Sequence, residues 1–296
     1  MLNFPKQFSS ENKCMKYTII TVIAIVLLLT SCNKKNYNKK NNDRDGLRIV
    51  SLTPSLTKEL VDLGLKDNIV GATSFCDIAA TNKDLIVGTA VTVNLEKVLL
   101  LKPDVVFASG LTKDNTINAL KKNGVKVYKF GKMKSFNDIC NHFEELGKIV
   151  NRRNKARTII KNSKAKIDSL ISSVPKGKDS LNVFFQIGAK PVFTVIPNTF
   201  MDDYITFSGC KNIAADLTKG TINRETVLKR NPNVIFIISM GIAGDNEKSI
   251  WESYQELNAS KNKKIFIVDA NIAATPTVLS FLEALEIIIK DIYNLK

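Results

Sequence analysis

Few side chains in this 296-residue chain have the types and spacing that catalysis or metal binding requires. Its single histidine, His142, excludes most catalytic triads and the histidine-rich sites that hold zinc or manganese. The sequence has no Gly-rich phosphate loop, no His-Glu-x-x-His and no Gly-x-Ser-x-Gly. We consider four carboxylates for an oxygen-ligand site, although aspartates beside strands more often cap helices: Asp77, Asp202, Asp203 and Asp269. The sequence therefore favours a binding protein over an enzyme, with no catalytic residues, no metal site and no cofactor of its own.

Cysteine chemistry is predicted at the N-terminus, where the sequence is typical of an exported lipoprotein. Lysines precede an uninterrupted run of apolar residues and Thr at 17–30, which is shorter than the about 20 residues that a membrane-spanning helix needs. The segment 29–32, Leu-Thr-Ser-Cys, resembles a bacterial lipobox. This resemblance implies a signal peptide over 1–31, cleavage before Cys32, and an acyl anchor such as palmitate on that cysteine. We expect an extracytoplasmic protein, lipid-anchored to the cell membrane on its periplasmic side, with a single-pass anchor as the alternative.

Composition and net charge place the mature chain among globular proteins. Cleavage before Cys32 would leave about 265 residues, enough for one large domain or two lobes. The net charge is +15, but most of it comes from dispersed lysines without the interleaved aromatic residues of a nucleic-acid-binding surface. We therefore expect no nucleic-acid partner. The start of the chain stays open between Met1 and Met15, since Met15 opens a signal peptide of ordinary length.

A polar segment and three further cysteines lie beyond the lipobox. Residues 32–46 are almost entirely polar and are predicted to form a tether that buries nothing. Cys76, Cys140 and Cys210 are an odd number and cannot all pair with one another. We expect buried free thiols, and a Cys76–Cys210 bridge is the alternative.

The order of the predicted elements indicates an α/β fold with two Rossmann-like lobes. Strands and helices alternate over 47–134, which predicts a parallel sheet. Helical spacing of apolar residues without a proline predicts a connecting segment over 135–174, as one long rigid helix or as two joined end to end. Strands resume in 175–296, which ends in a helix from about Thr277 to Leu295. The predicted strands are Leu47–Leu52, Asn68–Ala72, Val105–Ser109, Val125–Phe130, Leu181–Gln186, Pro191–Ile196, Val234–Ser239 and Ile265–Asp269.

A repeated segment links the two predicted lobes. Residues 94–107 recur 129 residues later as 223–236, with seven of fourteen positions identical and no gap. Each copy has an Asn that can cap a helix, a Glu in the first helical turn, a Pro that ends the helix, and a buried strand. The repeat predicts two lobes of like fold, with Glu96 and Glu225 in corresponding positions. The simpler explanation is that each glutamate only stabilises the N-terminus of its own helix.

Four sequence segments carry a resemblance to a known family: Ile49–Glu59 (IVSLTPSLTKE), Ile69–Gly71 (IVG), Asn94–Glu96 (NLE) and Leu101–Val106 (LKPDVV). They resemble the cobalamin-, siderophore- and haem-type solute-binding proteins of ABC importers, from about Leu47 to the C-terminus. In that family one rigid helix joins two α/β lobes, the ligand lies between them, and each lobe offers a glutamate to the permease. The resemblance implies that Glu96 and Glu225 dock on the permease.

The resemblance also implies ligand-binding residues, although less clearly. It suggests Ser74, Phe75, Asp77, Ser109 and Asp269, of which Phe75 and Asp77 match a Tyr and an Asp typical of cobalamin binders. Ser109 and Lys219 stand where cobalamin binders often have tryptophans that cover the corrin ring, and Ala273 stands in place of an arginine. Cobalamin, a ferric siderophore and haem therefore all remain candidate ligands, and the absence of arginine after Arg230 weakens the case for a carboxylate-rich siderophore.

The predicted function is capture of a metal chelate between two lobes, without chemistry on the ligand. The expected partners are an ABC permease dimer with its ATPase, the chelate itself and the membrane, and the binding protein is expected to be a monomer. Two alternatives stay open. One is a lipid-anchored periplasmic hydrolase that uses carboxylates, and the other is a surface lipoprotein that scavenges ligand without a permease partner.

Overall fold

The computed structural model describes residues 46–89, 91–175, 180–239 and 242–295, and the chain from Gly46 onward forms one compact unit. The predicted signal peptide, Cys32, both candidate start residues and almost all of the tether lie outside the described residues. Within the described ranges, no helix has the length and hydropathy needed to cross a membrane.

The first lobe contains a five-stranded sheet in which every neighbouring pair is parallel, in the order β3-β2-β1-β4-β5. The central strands β1 and β4 are buried, as expected where helices cover both faces of a parallel sheet. The strands are Ile49–Ser51 (β1), Ile69–Thr73 (β2), Ile86–Gly88 (β3), Val105–Ser109 (β4) and Lys126–Phe130 (β5). The helices are Pro54–Asp62 (α1), Asp77–Thr81 (α2), Leu95–Leu100 (α3) and Asp114–Lys122 (α4), with short 3₁₀ turns at Lys66–Asn68 and Lys83–Leu85.

The second lobe contains a mixed sheet in the order β10-β9-β6-β7, with β8 also paired to β6. Only β7 runs antiparallel to its neighbour among these described strands. The strands are Asn182–Ala189 (β6), Val192–Thr194 (β7), Lys211–Asn212 (β8), Val234–Ser239 (β9) and Ile265–Asp269 (β10). The helices here are numbered from α7 because two helices of the connecting segment precede them. They are Asp202–Phe207 (α7), Arg224–Arg230 (α8), Ile242–Glu252 (α9), Asn258–Lys261 (α10), Ala270–Ala273 (α11) and Val278–Tyr293 (α12).

The connecting segment 135–174 is not one unbroken helix but two, as the alternative prediction allowed. It forms α5, Phe136–Ile149, and α6, Arg153–Ser173, which pack against each other. The break lies at Asn151, which adopts the left-handed conformation that asparagine tolerates better than most residues. Gly147 permits the close approach, because a Cβ there would lie 2.7 Å from the Ala156 Cβ. The 21-residue helix α6 therefore connects the lobes, and α5 packs beside it.

One continuous apolar core extends through both lobes beneath α5, α6 and α12. Phe136, at the start of α5, stacks on Phe281 of α12 with ring centroids 4.5 Å apart. Its backbone N–H also donates to the Asp203 carboxylate at 2.6 Å, which ties the start of α5 to the second lobe. A lobe movement would have to disrupt this packing, and packed interiors resist such deformation.

Ligand binding is therefore expected to close the lobes only slightly. Large hinge closure needs a few connecting residues that absorb the backbone change, whereas here a helix pair and a shared core join the lobes. Small-angle X-ray scattering with and without ligand should give the same radius of gyration within error. A large compaction on ligand addition would contradict this prediction.

Glu59 of α1 and His142 of α5 form a buried polar pair in the first lobe. Glu59 Oε1 lies 3.3 Å from His142 Nδ1, and both side chains are buried. Among the described residues, the second oxygen of Glu59 and Nε2 of His142 have no hydrogen-bond partner. Burial raises the pKa of Glu59, because desolvation of the carboxylate outweighs its attraction to His142. The single histidine is thus a core residue and does not face the space between the lobes.

Glu59→Gln should gain stability relative to the unmodified protein as the pH rises. The folded state holds the Glu59 proton more tightly than the unfolded state, whose pKa is about 4.3. The stability from that proton is complete below the unfolded pKa and is lost as the pH rises through the raised folded pKa. Gln cannot ionise and avoids the loss. Urea unfolding across this pH range measures the difference, with Glu145→Gln on the exposed side of α5 as the control; parallel pH profiles for Glu59→Gln and the unmodified protein would contradict the account.

Candidate ligand-binding cleft

A cavity of about 820 Å³ lies between the two sheets, at the carboxyl edge of the first. Its first-lobe wall comes from the segments that follow β1, β4 and β5. Its second-lobe wall comes from β6, β7 and the loops near α7, α8 and α12. The volume is within the range of about 300–1,000 Å³ found for small-molecule sites, and open α/β sheets bind ligands at their carboxyl edges. The lining residues are Thr53, Pro54, Ser55, Ser109, Gly110, Leu111, Gly131, Lys132, Met133, Ile187, Phe193, Thr194, Val195, Ile196, Thr199, Phe200, Met201, Gly220, Ala274, Thr275 and Pro276.

The lining is mainly apolar and carries little charge. Among the described residues that line the cavity, Lys132 is the one that carries a charge, and none supplies a carboxylate, imidazole, thiol, phenol or guanidinium group. The other polar groups are the hydroxyls of serines and threonines and the backbone. Exposed apolar side chains include Leu111 on the first lobe and Phe193 on the second. Such a surface suits a ligand with large apolar faces and polar groups at its edge.

Two methionines line the cavity where the lobes meet. Met133 lies three residues before Phe136, and Met201 lies two residues before Asp203, so the hydrogen bond between Phe136 and Asp203 places the two methionine segments side by side. Burial raises the pKa of the Asp203 carboxyl, although the Phe136 N–H favours its ionised form. Both methionine side chains are partly buried against the core. We call Met133 and Met201 the methionine pair.

The structure places one of the five predicted ligand-binding residues in the cavity wall. Ser109, at the end of β4, lines the cavity. Ser74, Phe75 and Asp77 follow β2 at the same edge of the sheet and are exposed, but they do not line the cavity. Asp269 does not line it either, because its carboxylate caps α11 by accepting from the Asn271 N–H at 2.8 Å.

Two further positions taken from the resemblance lie beside the cavity wall. Lys219 is exposed and precedes Gly220, which lines the cavity, and buried Ala273 precedes Ala274, which also lines it. The described residues contain no cluster of three or more His, Cys, Asp or Glu that could hold a metal ion. Cys76, Cys140 and Cys210 are unpaired, so the alternative of a Cys76–Cys210 bridge was wrong.

Sequence reasoning missed most of the lining residues. The methionine pair, Phe193 and Phe200 were not proposed, although Met133 and Phe200 each lie a few residues beyond a predicted strand. Position relative to the carboxyl end of a strand would have found them, because that edge is where ligands bind in such sheets.

The repeated segment forms the same local structure in both lobes. The Asn94 side chain accepts from the Lys97 N–H at 2.9 Å, and the Asn223 side chain accepts from the Thr226 N–H at 2.7 Å. Each asparagine caps its helix, which places Glu96 and Glu225 in the first turns of α3 and α8. Both glutamates are exposed, and neither carboxylate makes an ion pair within the described part of the chain.

Both docking candidates also lie near the cleft edge of their own sheet. Val93 forms a bridge with Gly88 at the end of β3, shortly before Glu96. Thr221 forms a bridge with Phe193, which lines the cavity, shortly before Glu225. Two exposed carboxylates, one on each lobe, therefore lie towards the side of the molecule on which the cleft is found.

The helix that carries Glu225 is fixed to the second lobe by a polar network. Arg224 pairs with the buried Glu247 carboxylate and lies over the Trp251 ring, 4.7 Å from the ring centroid. Gln186 of β6 joins the network by donating to Glu247 at 2.7 Å and accepting from the Trp251 N–H at 2.6 Å. Arg224 is thus committed to Glu247 and does not neutralise its neighbour Glu225.

Residues 49–272 match the family model described as "Periplasmic binding protein". The chain belongs to this family. An ABC transporter substrate-binding lipoprotein of Bacillus subtilis is 29% identical over 254 residues, which cover 83% of this chain and 80% of the relative. A vitamin B12-binding protein of Vibrio vulnificus is 26% identical over 241 residues, covering 78% and 84%.

A solved structure agrees with this membership of the periplasmic binding protein family. It is described as a possible iron-binding periplasmic solute-binding protein of Staphylococcus epidermidis, with 28% identity and a TM-score of 0.73 over 83% of this chain and 98% of that chain. The predicted α/β fold class and the resemblance to solute-binding proteins of ABC importers are confirmed. The family consists of binding proteins and not of enzymes.

Proposed function

We propose that this protein is the extracytoplasmic solute-binding component of an ABC importer. It captures a metal chelate, which is a corrinoid, a ferric siderophore or haem, and delivers it to a permease dimer with its ATPase. The observation that carries the proposal is the mainly apolar cavity at the carboxyl edge of the first sheet, where Lys132 is the one charged residue among the described lining residues.

The composition of the cavity favours an intact chelate over smaller solutes. A bare cation would need several oxygen, nitrogen or thiolate ligands, and the lining residues that the structure describes offer no carboxylate, imidazole or thiol. A sugar or an amino acid would need a dense set of charged or paired polar groups. A chelate carries its own metal ligands and presents apolar surface, which the cavity can bury.

The same lining argues against catalysis as the function. General acid–base or nucleophilic chemistry needs a side chain such as His, Glu, Asp or Cys within hydrogen-bonding reach of the substrate. Among the residues that line the cavity, the ionisable side chain is that of Lys132. We therefore propose reversible binding without chemistry, which leaves the alternative of a carboxylate-based hydrolase without support from this site.

The exposed glutamates and the lipid anchor give the proposed receptor its route to a permease. Glu96 and Glu225 lie on corresponding helices of the two lobes, so a permease dimer could engage both with one arginine cluster from each subunit. An acyl chain on Cys32 would hold the protein at the membrane and raise its effective concentration near that partner. A surface scavenger without a permease would not require the duplicated carboxylates.

Mass spectrometry of ligand that co-purifies with the protein from its native host tests the proposed function. The full-length lipoprotein should carry a corrinoid, a ferric chelate or haem, and reloading it with that compound should raise its melting temperature. Protein with the cleft-blocking change Gly110→Trp should carry none. Recovery of a sugar, peptide or bare metal ion as the bound species would contradict the proposal.

A further inference from the structure

Every methionine of the described chain segments lines the cavity between the lobes. Met133 and Met201 are those methionines, and the segments that carry them are brought together by the hydrogen bond from Phe136 to Asp203. Methionine is a common gap-filler in apolar cores. Here both methionines pack against the core and also line the cavity, which places them beside a ligand bound there.

The sulfur atoms are also the softest metal-binding groups in the lining. Among the lining side chains, the sulfur, nitrogen and oxygen atoms are those of the thioethers of the methionine pair, the Lys132 amino group and the hydroxyls. The ammonium group of Lys132 donates hydrogen bonds and has no lone pair to offer a metal. Neutral hydroxyls are hard, weak ligands, whereas thioethers suit softer centres and serve as axial ligands to haem iron.

Candidate chelates differ in whether their metal has an open position. A ferric trihydroxamate surrounds iron with six oxygen atoms, and cyanocobalamin has six ligands on cobalt, so neither offers a site to an incoming thioether. A metalloporphyrin fills four equatorial positions and leaves its axial positions open to a protein ligand. Its flat apolar faces also match the mainly apolar walls, which include Phe193 and Phe200.

The remaining charge fits the edge of the same ligand. Lys132 immediately precedes Met133 and lines the same cavity, so its ammonium group can pair with a carboxylate at the edge of a bound ligand. Within the described part of the chain, no carboxylate lines the cavity to repel such an anion. An apolar ligand with acidic groups on one edge is thus matched in polarity and charge.

We infer that the cavity selects a metalloporphyrin whose iron faces the thioethers of Met133 and Met201 and whose edge carboxylate pairs with Lys132. This inference rests on the proposed function and narrows its ligand to one chemical class. The methionine pair then sets specificity as well as packing.

The test compares four probes on the full-length lipoprotein: hemin, metal-free protoporphyrin, cyanocobalamin and a ferric trihydroxamate. Binding is followed by quenching of the single tryptophan, Trp251, and for hemin also by the Soret band. Met133→Leu and Met201→Leu remove sulfur with little change of volume. Lys132→Gln tests the edge contact, with Lys134→Gln as its control, because exposed Lys134 does not line the cavity.

Hemin should bind most tightly of the four probes and shift its Soret band. At least one leucine variant should lower the affinity for hemin by roughly tenfold or more and abolish the Soret shift. Its affinity for protoporphyrin should stay within about twofold of that of the unmodified protein. Lys132→Gln should lower the affinity for hemin and for protoporphyrin alike, and Lys134→Gln should change neither affinity.

Three results would overturn the inference. The leucine variants could bind hemin like the unmodified protein, or they could lose affinity for hemin and protoporphyrin equally. The unmodified protein could also bind the corrinoid or the trihydroxamate more tightly than hemin. The last result would leave the proposed function standing, because a chelate would still occupy the cleft. Failure of all four probes to bind would count against the inference and the proposed function together.

Discussion

Glu96→Arg combined with Glu225→Arg is expected to abolish import while leaving ligand affinity unchanged. Both carboxylates are exposed, each lies in the first turn of a capped helix, and neither lines the cavity. Four units of charge change at the proposed docking face, and like charges placed against permease arginines cost several kcal/mol in a protein interface. Uptake of labelled ligand by cells measures import, and titration of the purified variant measures affinity.

A charge-matched control separates docking from general electrostatics. Glu145→Arg with Glu283→Arg makes the same net change at exposed positions on α5 and α12. That pair should import normally. Arginine in the first turn of α3 or α8 opposes the helix dipole by about 0.3–1 kcal/mol, so circular dichroism should verify folding of the docking variant. Import that survives in a folded docking variant would mean that these glutamates do not engage the permease.

Filling the cleft is the second change with a large expected effect. Gly110 lines the cavity, and a Cβ placed on it would meet no atom within 4 Å, so Gly110→Trp puts an indole into open cleft space. Affinity should fall by roughly a hundredfold or more, which corresponds to a loss of about 2.8 kcal/mol of ligand contact. Isothermal titration with the co-purified ligand measures the change.

The matched control for the blocked cleft is Gly46→Trp. Gly46 also has open space around its Cβ position and lies outside the cavity lining. This variant should bind ligand like the unmodified protein. Unchanged affinity in Gly110→Trp would place the ligand somewhere other than this cavity.

Local sequence signals were sufficient for most of the architecture. Buried strands such as β4 and β9 read directly as apolar runs, and the repeat around Asn94 and Asn223 predicted two equivalent helix starts that the side-chain caps confirm. The short strands β3 and β8 were not predicted, because three and two residues give too little periodicity. Two helices were allowed for in the connecting segment, but the position of the break at Asn151 was not predicted, since it depends on one left-handed residue and the Gly147–Ala156 contact and not on a proline.

The binding site was harder to predict than the fold, for a physical reason. A cavity wall is assembled from loops distant in sequence, so the proximity of Met133 to Met201 depends on a tertiary hydrogen bond that no local pattern encodes. Phe75 and Asp269 were expected from the resemblance, yet loop geometry leaves Phe75 exposed and uses Asp269 as a helix cap. Of the five ligand-binding residues that the resemblance suggested, Ser109 is the one found among the described lining residues.

Direct titration of metal chelates into the full-length protein, beside its Gly110→Trp variant, tests the central claim that the cleft is a chelate receptor. We predict saturable binding with a stoichiometry near one for at least one of a corrinoid, hemin and a ferric siderophore, and loss of that binding in the blocked variant. No chelate binding at all, or equal binding by both proteins, would contradict it.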